Sequence, residues 1–147
     1  NMKFISHRGN LNGPNPEQEN RPEYIMGALE KGYAVEIDVW RERGSWMLGH
    51  DYPEHETTLE FISNPDFYIH AKNLEALMSL TSTDLHYFWH EEDDFTLTSK
   101  NFIWTYPKKQ VTGRSIVVCN QMQDIDAYLR TNAYGICTDY ISKDFIK

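Results

Sequence analysis

Short apolar runs rich in Val, Ile, Tyr, Phe and Trp recur along the chain, separated by polar stretches. Runs of this length and composition predict β-strands. They cover Lys3–His7, Ala34–Trp40, Trp46–His50, Phe67–Lys72, His86–His90, Phe102–Thr105, Ser115–Cys119 and Gly135–Thr138. Helical spacing fills several of the gaps, over Pro22–Lys31, Thr58–Ile62, Leu74–Leu80 and Met122–Arg130. Pro22 near a first turn and Gly32 just past an end fit the first of these, and Asn73 and Asn120 stand where N-caps belong. Residues 10–21 and 51–57 read as loops, and a tight connection with Gly44 at its centre joins Trp40 to Trp46.

Eight strands with helices in many gaps predict a compressed α/β barrel of the (β/α)8 TIM type, an incomplete or open α/β sheet being the alternative. A full barrel takes about 250 residues, and this chain has 147. The gaps after His90 and Thr105 are too short for a helical crossover of about a dozen residues, so those outer helices are expected to shrink to turns. No linker or repeat divides the chain, which reads as one domain over residues 1–147.

Composition narrows the partners. Forty per cent apolar residues support a packed core, while 22 acidic against 14 basic residues give a net charge of −8, unsuited to a polyanion, so a nucleic-acid partner is not expected. There is no apolar run long enough for a membrane helix and no signal-like start. Asn1 ahead of Met2 reads as an appended residue; with Met2 as the native start, a cytoplasmic protein is expected. Cys119 and Cys137 lie in apolar strands and read as buried thiols, with a disulfide between neighbouring strands as the alternative. The oligomeric state is not encoded in any recognisable feature.

The chemistry collects at strand ends. His7 and Arg8 close the first strand ahead of Gly9, giving an imidazole for proton exchange and a guanidinium for phosphate oxygens, although a strand-end polar pair packed on its loop is the plainer reading of these two alone. Glu36 and Asp38 flank Ile37, so both carboxylates share one strand face and repel unless a cation lies between them. A hard ion, Mg2+ or Ca2+, is therefore expected, with Glu19 as a further oxygen ligand. A solvent-facing strand edge is the competing account of that pair. His50, followed by Asp51, supplies a second imidazole at another strand end. Residues 88–98 read as a strand and an acidic solvated loop, the alternative being an acidic wall of the cleft with His90 or Glu91 near the substrate and Trp104 stacked against it, and Lys108–Lys109 read as a turn.

These motifs resemble the glycerophosphodiester phosphodiesterases, related in fold to the phosphatidylinositol-specific phospholipases C. The resemblance rests on His7-Arg8-Gly9, Glu19-Asn20, Glu36-Ile37-Asp38-Val39 and Gly49-His50-Asp51, in the family's order and spacing. Tyr68-Ile-His-Ala-Lys72 and Gly135-Ile-Cys-Thr-Asp139 look like two later strands of that family. The resemblance implies Lys72 as a phosphate-facing lysine and places His70 where the family carries a metal-binding glutamate. The subdomain that usually follows the His-Asp hairpin is missing. The function implied is a metal-dependent phosphoric diester hydrolase acting on a glycerol-type or other small phosphodiester. His7 is then read as base and His50 as acid, Arg8 and Lys72 as the phosphate clamp, and Glu19, Glu36, Asp38 and His70 as metal ligands. The alternative is a weakly active or inactive barrel that binds phosphate esters.

Overall fold

A computed structural model describes residues 2–142 and 146; Asn1, read above as an appended residue, lies outside them. Ten strands form one mixed sheet. They are β1 (Lys3–His7), β2 (Ala34–Glu42), β3 (Ser45–Leu48), β4 (His55–Glu56), β5 (Phe67–Ala71), β6 (Tyr87–Phe88), β7 (Phe95–Leu97), β8 (Ile103–Thr105), β9 (Ser115–Cys119) and β10 (Gly135–Thr138). Seven of them run parallel in the order β6-β5-β2-β1-β10-β9-β8. The antiparallel strands β3, β4 and β7 are appended to β2 and β8.

The compressed (β/α)8 barrel expected from the sequence is not what the chain builds. Among the described residues β6 and β8 do not pair, so the parallel strands curve into a half-barrel that stays open along one seam. Only four short α-helices are present among the described residues: α1 (Pro22–Glu30), α2 (Leu59–Ile62), α3 (Leu74–Leu80) and α4 (Ile125–Leu129), the last preceded by a 3-10 turn at Met122–Asp124. A TIM barrel follows each strand with a helix. Here the connections from β6 to β9 are too short to hold one, and the acidic stretch read as a solvated loop contributes β7 instead. The loop expected over 51–57 likewise contains β4.

Local chemistry accounts for the helices. Pro22 occupies the first turn of α1, and the amide of Gly32, at φ 93°, bonds to the carbonyl of Leu29. Thr58 Oγ1 and Asn73 Oδ1 accept from the amides of Phe61 and Ala76, capping α2 and α3. Asn120 does not cap; Gln121 precedes the 3-10 turn without a side-chain capping bond.

Strand alternation sorts the side chains into two faces. On the outer face Val35, Ile37, Val39 and Ile69 pack with Ile25 and Ala28 of α1 and Ala76 and Leu80 of α3. Val117, Cys119 and Ile136 pack with Ile125 and Tyr128 of α4. On the inner face Ile5, Ala34, Tyr68, Phe88, Trp104, Ile116 and Cys137 form one cluster, a single residue from each of the seven parallel strands. This layer is the floor of everything above it. Both cysteines are free and buried.

Candidate functional site

Two residues further along each parallel strand, the next inward positions are His7, Glu36, His70, His90, Tyr106, Val118 and Asp139. Because side chains repeat their direction every second residue, the apolar floor dictates that these seven rise together at the C-terminal ends of the strands. Six of them, with Arg8, His50, Lys72, Glu91 and Trp104, line a cavity of about 480 Å³. Asp139 stands behind it, against His7.

The turn that follows β1 is strained into place. Arg8 has φ 59° and Gly9 φ 95°, and a Cβ on Gly9 would lie 2.6 Å from Tyr24 Cδ2 and 3.2 Å from its backbone. A left-handed arginine costs about 1–2 kcal/mol. It is held by its partners: Arg8 Nη1 donates to Glu19 Oε1 at 3.0 Å, and Arg8 Nε lies 3.1 Å from Asp38 Oδ2. Burial alone would lower the proton affinity of Arg8, but Asp38 and Glu36 outweigh it and raise it. Asn20, also left-handed at φ 66°, donates to Asp38 Oδ2 at 2.9 Å and accepts from the Asp38 amide at 3.0 Å.

His7 is oriented by its far nitrogen. Its Nδ1 lies 2.8 Å from Asp139 Oδ1, which also accepts from Asn10 Nδ2 at 2.9 Å. Burial would raise the Asp139 carboxyl, yet contact with His7 and Asn10 holds it below the ordinary carboxylate value, so it is the acceptor. The Nδ1 of His7 is then the protonated nitrogen, and its Nε2 is left facing Glu36 Oε1 at 3.7 Å. His50 lines the same cavity, with Nδ1 3.0 Å from Asp51 Oδ1. Burial, together with Arg8 and Lys72, lowers its proton affinity.

Glu36, Asp38 and His70 can hold a metal ion. Each offers one ligand atom, and these atoms lie within 4.8 Å of one another. Glu36 and Asp38 are 2% and 0% exposed, and Glu36 Oε1 and Asp38 Oδ1 have no hydrogen-bond partner. Burial and the adjacent Asp38 push the Glu36 carboxyl well above the ordinary range. Burial would raise Asp38 too, but contact with the His70 ring and the charge of Arg8 hold it far below that range. Two buried acids forced apart in this way are short of positive charge, which a cation between them provides.

Glu19 stands outside that group. Its oxygens are taken by Arg8 Nη1, by Asn10 Nδ2 at 3.1 Å and by the Asn15 amide at 2.7 Å, so it braces the arginine. His7, Arg8, Glu36, His50, His70 and Lys72 do converge on one cavity. His90, Glu91 and Trp104, the alternative reading of the acidic stretch, line the cavity, while Asp139 and Asn10 complete the site without a role assigned from the sequence; Asp139 is found by counting two residues on from the apolar inward position of its strand.

None of the described helices is long and apolar enough to cross a membrane. Compared with protein-family models, curated proteins and solved structures, the chain matches none.

Proposed function

We propose that the protein is a phosphoric diester hydrolase acting on a small phosphodiester. The observation that carries this reading is the sharing of one cavity by the imidazoles of His7 and His50, by Arg8 and Lys72, and by Glu36 and His70, with Asp38 buried directly beside the last two. The order and spacing of the His7-Arg8-Gly9, Glu19-Asn20, Glu36-Ile37-Asp38 and His50-Asp51 motifs support it independently, through their resemblance to glycerophosphodiester phosphodiesterases. A divalent ion held by the three-residue group supplies Lewis-acid polarisation of a phosphoryl oxygen, and its carboxylates taken alone suit Mg2+ or Ca2+.

The rest is done by the chain. Asp139 fixes His7 with its Nε2 lone pair free, the state in which an imidazole removes a proton from an attacking water or substrate hydroxyl. His50 protonates the departing alcohol. Its lowered proton affinity makes it a ready donor but empties it as pH rises, so the rate falls on the alkaline side. Arg8 and Lys72 bring positive charge to the phosphate. Glu19 and Asp38 keep the guanidinium from swinging away.

A second reading, a phosphate-ester binder without turnover, draws on the same pairing, since Arg8 already shares its charge with two carboxylates. Hydrolysis of bis(p-nitrophenyl) phosphate with and without EDTA separates the two. The enzyme reading expects a rate that needs a divalent ion and drops at least about 100-fold in His7→Ala. No rate with any divalent ion, beside measurable phosphate-ester binding, selects the binder.

A further inference from the structure

The imidazole of His70 is locked in a state that changes which ion the site takes. His70 Nε2 lies 2.9 Å from the carbonyl oxygen of His90. A carbonyl only accepts, so Nε2 carries a proton. In a neutral ring the lone pair then sits on Nδ1, and Nδ1 points at Asp38 Oδ1, 3.3 Å away, and Glu36 Oε2, 3.8 Å away. Three electron-rich atoms thus face one another across a buried gap. The unpartnered oxygens Glu36 Oε1 and Asp38 Oδ1 belong to the same two carboxylates. A proton on the ring or on Glu36, or a metal ion, must relieve this arrangement, and two buried carboxylates that each keep one oxygen without a donor favour the ion.

The ring is also held rigidly. It stacks on Phe88, with centroids 5.1 Å apart and planes 19° from parallel, and Phe88 in turn stacks on Trp104 at 4.4 Å. The hydrogen bond from the far nitrogen to a backbone carbonyl is the outer-sphere contact by which metal-ligating histidines are oriented and kept in one tautomer.

We propose that His70 Nδ1 is a metal ligand and that the site is consequently a nitrogen–oxygen centre selecting a borderline transition ion, Zn2+, over the harder Mn2+, Mg2+ and Ca2+. Hard ions bind oxygen sets and gain little from an imidazole, whereas Zn2+ takes nitrogen and carboxylate oxygen together. Three protein ligands would leave a four-coordinate zinc ion short of one ligand, the pattern of a catalytic rather than a structural zinc centre. This rests on the reading of the cavity as a metal centre, but it concerns donor chemistry, so it is tested by binding rather than by turnover.

The experiment uses the full chain stripped with EDTA and desalted, titrated calorimetrically with Zn2+, Mn2+, Mg2+ and Ca2+, beside His70→Gln and His70→Glu, with circular dichroism to verify folding. Wild type is expected to prefer Zn2+ to Mg2+. In His70→Gln the Zn2+ affinity falls at least about 10-fold while Mg2+ affinity barely moves. His70→Glu narrows the Zn2+ to Mg2+ ratio by restoring an all-oxygen set. In 15N-histidine NMR, the Nδ1 resonance of His70 shifts on adding Zn2+ while Nε2 stays protonated. The proposal is overturned if His70→Gln leaves the Zn2+ to Mg2+ ratio unchanged, or if His70 carries protons on both nitrogens before and after Zn2+ is added. Tight, His70-dependent Zn2+ binding without hydrolysis of bis(p-nitrophenyl) phosphate would sustain this inference and remove the hydrolase. Hydrolysis driven by Mg2+ and indifferent to His70→Gln would do the reverse.

Discussion

Asp139 and His7 show how much a single contact settles at the scale of the residue. An unbraced imidazole exchanges its proton between two nitrogens; the carboxylate at 2.8 Å from Nδ1 removes that choice. The partners are 132 residues apart in sequence. The Gly135-Ile-Cys-Thr-Asp139 motif marks Asp139 as a polar strand-end residue, yet nothing local names its partner. Asp139→Asn keeps the size of the side chain but offers an amide donor to Nδ1, favouring the wrong tautomer. We expect kcat on bis(p-nitrophenyl) phosphate to fall about 100-fold or more, with KM and melting temperature little changed. A variant that keeps wild-type kcat would show that Asp139 does not position the base.

At the scale of the element, β2 and α3 are tied by one side chain. Asn73 Oδ1 accepts from the Ala76 amide to cap the helix and from the Arg41 amide at 3.1 Å, while Nδ2 donates to the Arg41 carbonyl at 2.8 Å. The asparagine therefore extends the edge of β2 beyond its pairing with β5 and starts α3 at the same point. Its capping role was legible from an Asn just ahead of a helical pattern; its bonds to β2 were not, because they depend on which strand lies beside it. Asn73→Ala loses the cap and leaves two strand groups unpaired, so unfolding free energy should drop by about 2 kcal/mol in urea denaturation. A change below about 0.5 kcal/mol would mean that water replaces the asparagine at no cost. The alternation along β2 was equally legible: Glu36 and Asp38 share a face because every second residue does.

At the scale of the whole molecule the open seam decides the outcome. Among the described residues no β-ladder joins β6 to β8; the turn between β7 and β8 bridges the gap, by one backbone bond from the Ser99 amide to the Tyr87 carbonyl at 2.8 Å and by side chains beside it. His86 Nε2 meets Thr98 Oγ1 at 2.7 Å, and the Tyr87 amide donates to Ser99 Oγ at 2.9 Å. Burial, with a smaller effect of Lys100, lowers the His86 imidazole from its ordinary 6.5 to about 4. The unfolded chain therefore takes up this proton first as pH falls. Stability from this group is intact above about 6.5, declines between 6.5 and 4, and levels off below, where both states are protonated. Melting curves from pH 7.5 to 4 should show the advantage of wild type over His86→Gln shrinking across that window. Parallel curves for the two proteins would refute the assignment.

The sequence by itself determined eight of the ten strands, the capped start of α3, and the inward grouping of Glu36 with Asp38, because apolar runs, caps and a two-residue repeat are local properties. Whether the sheet closes was decided only in three dimensions, since it turns on β6 and β8, separated by an irregular acidic stretch that found a partner in β8 as β7. The same holds for the site. Residue types and strand ends were legible, but the tautomers of His7 and His70 depend on an aspartate and a carbonyl that only folding brings within hydrogen-bonding distance.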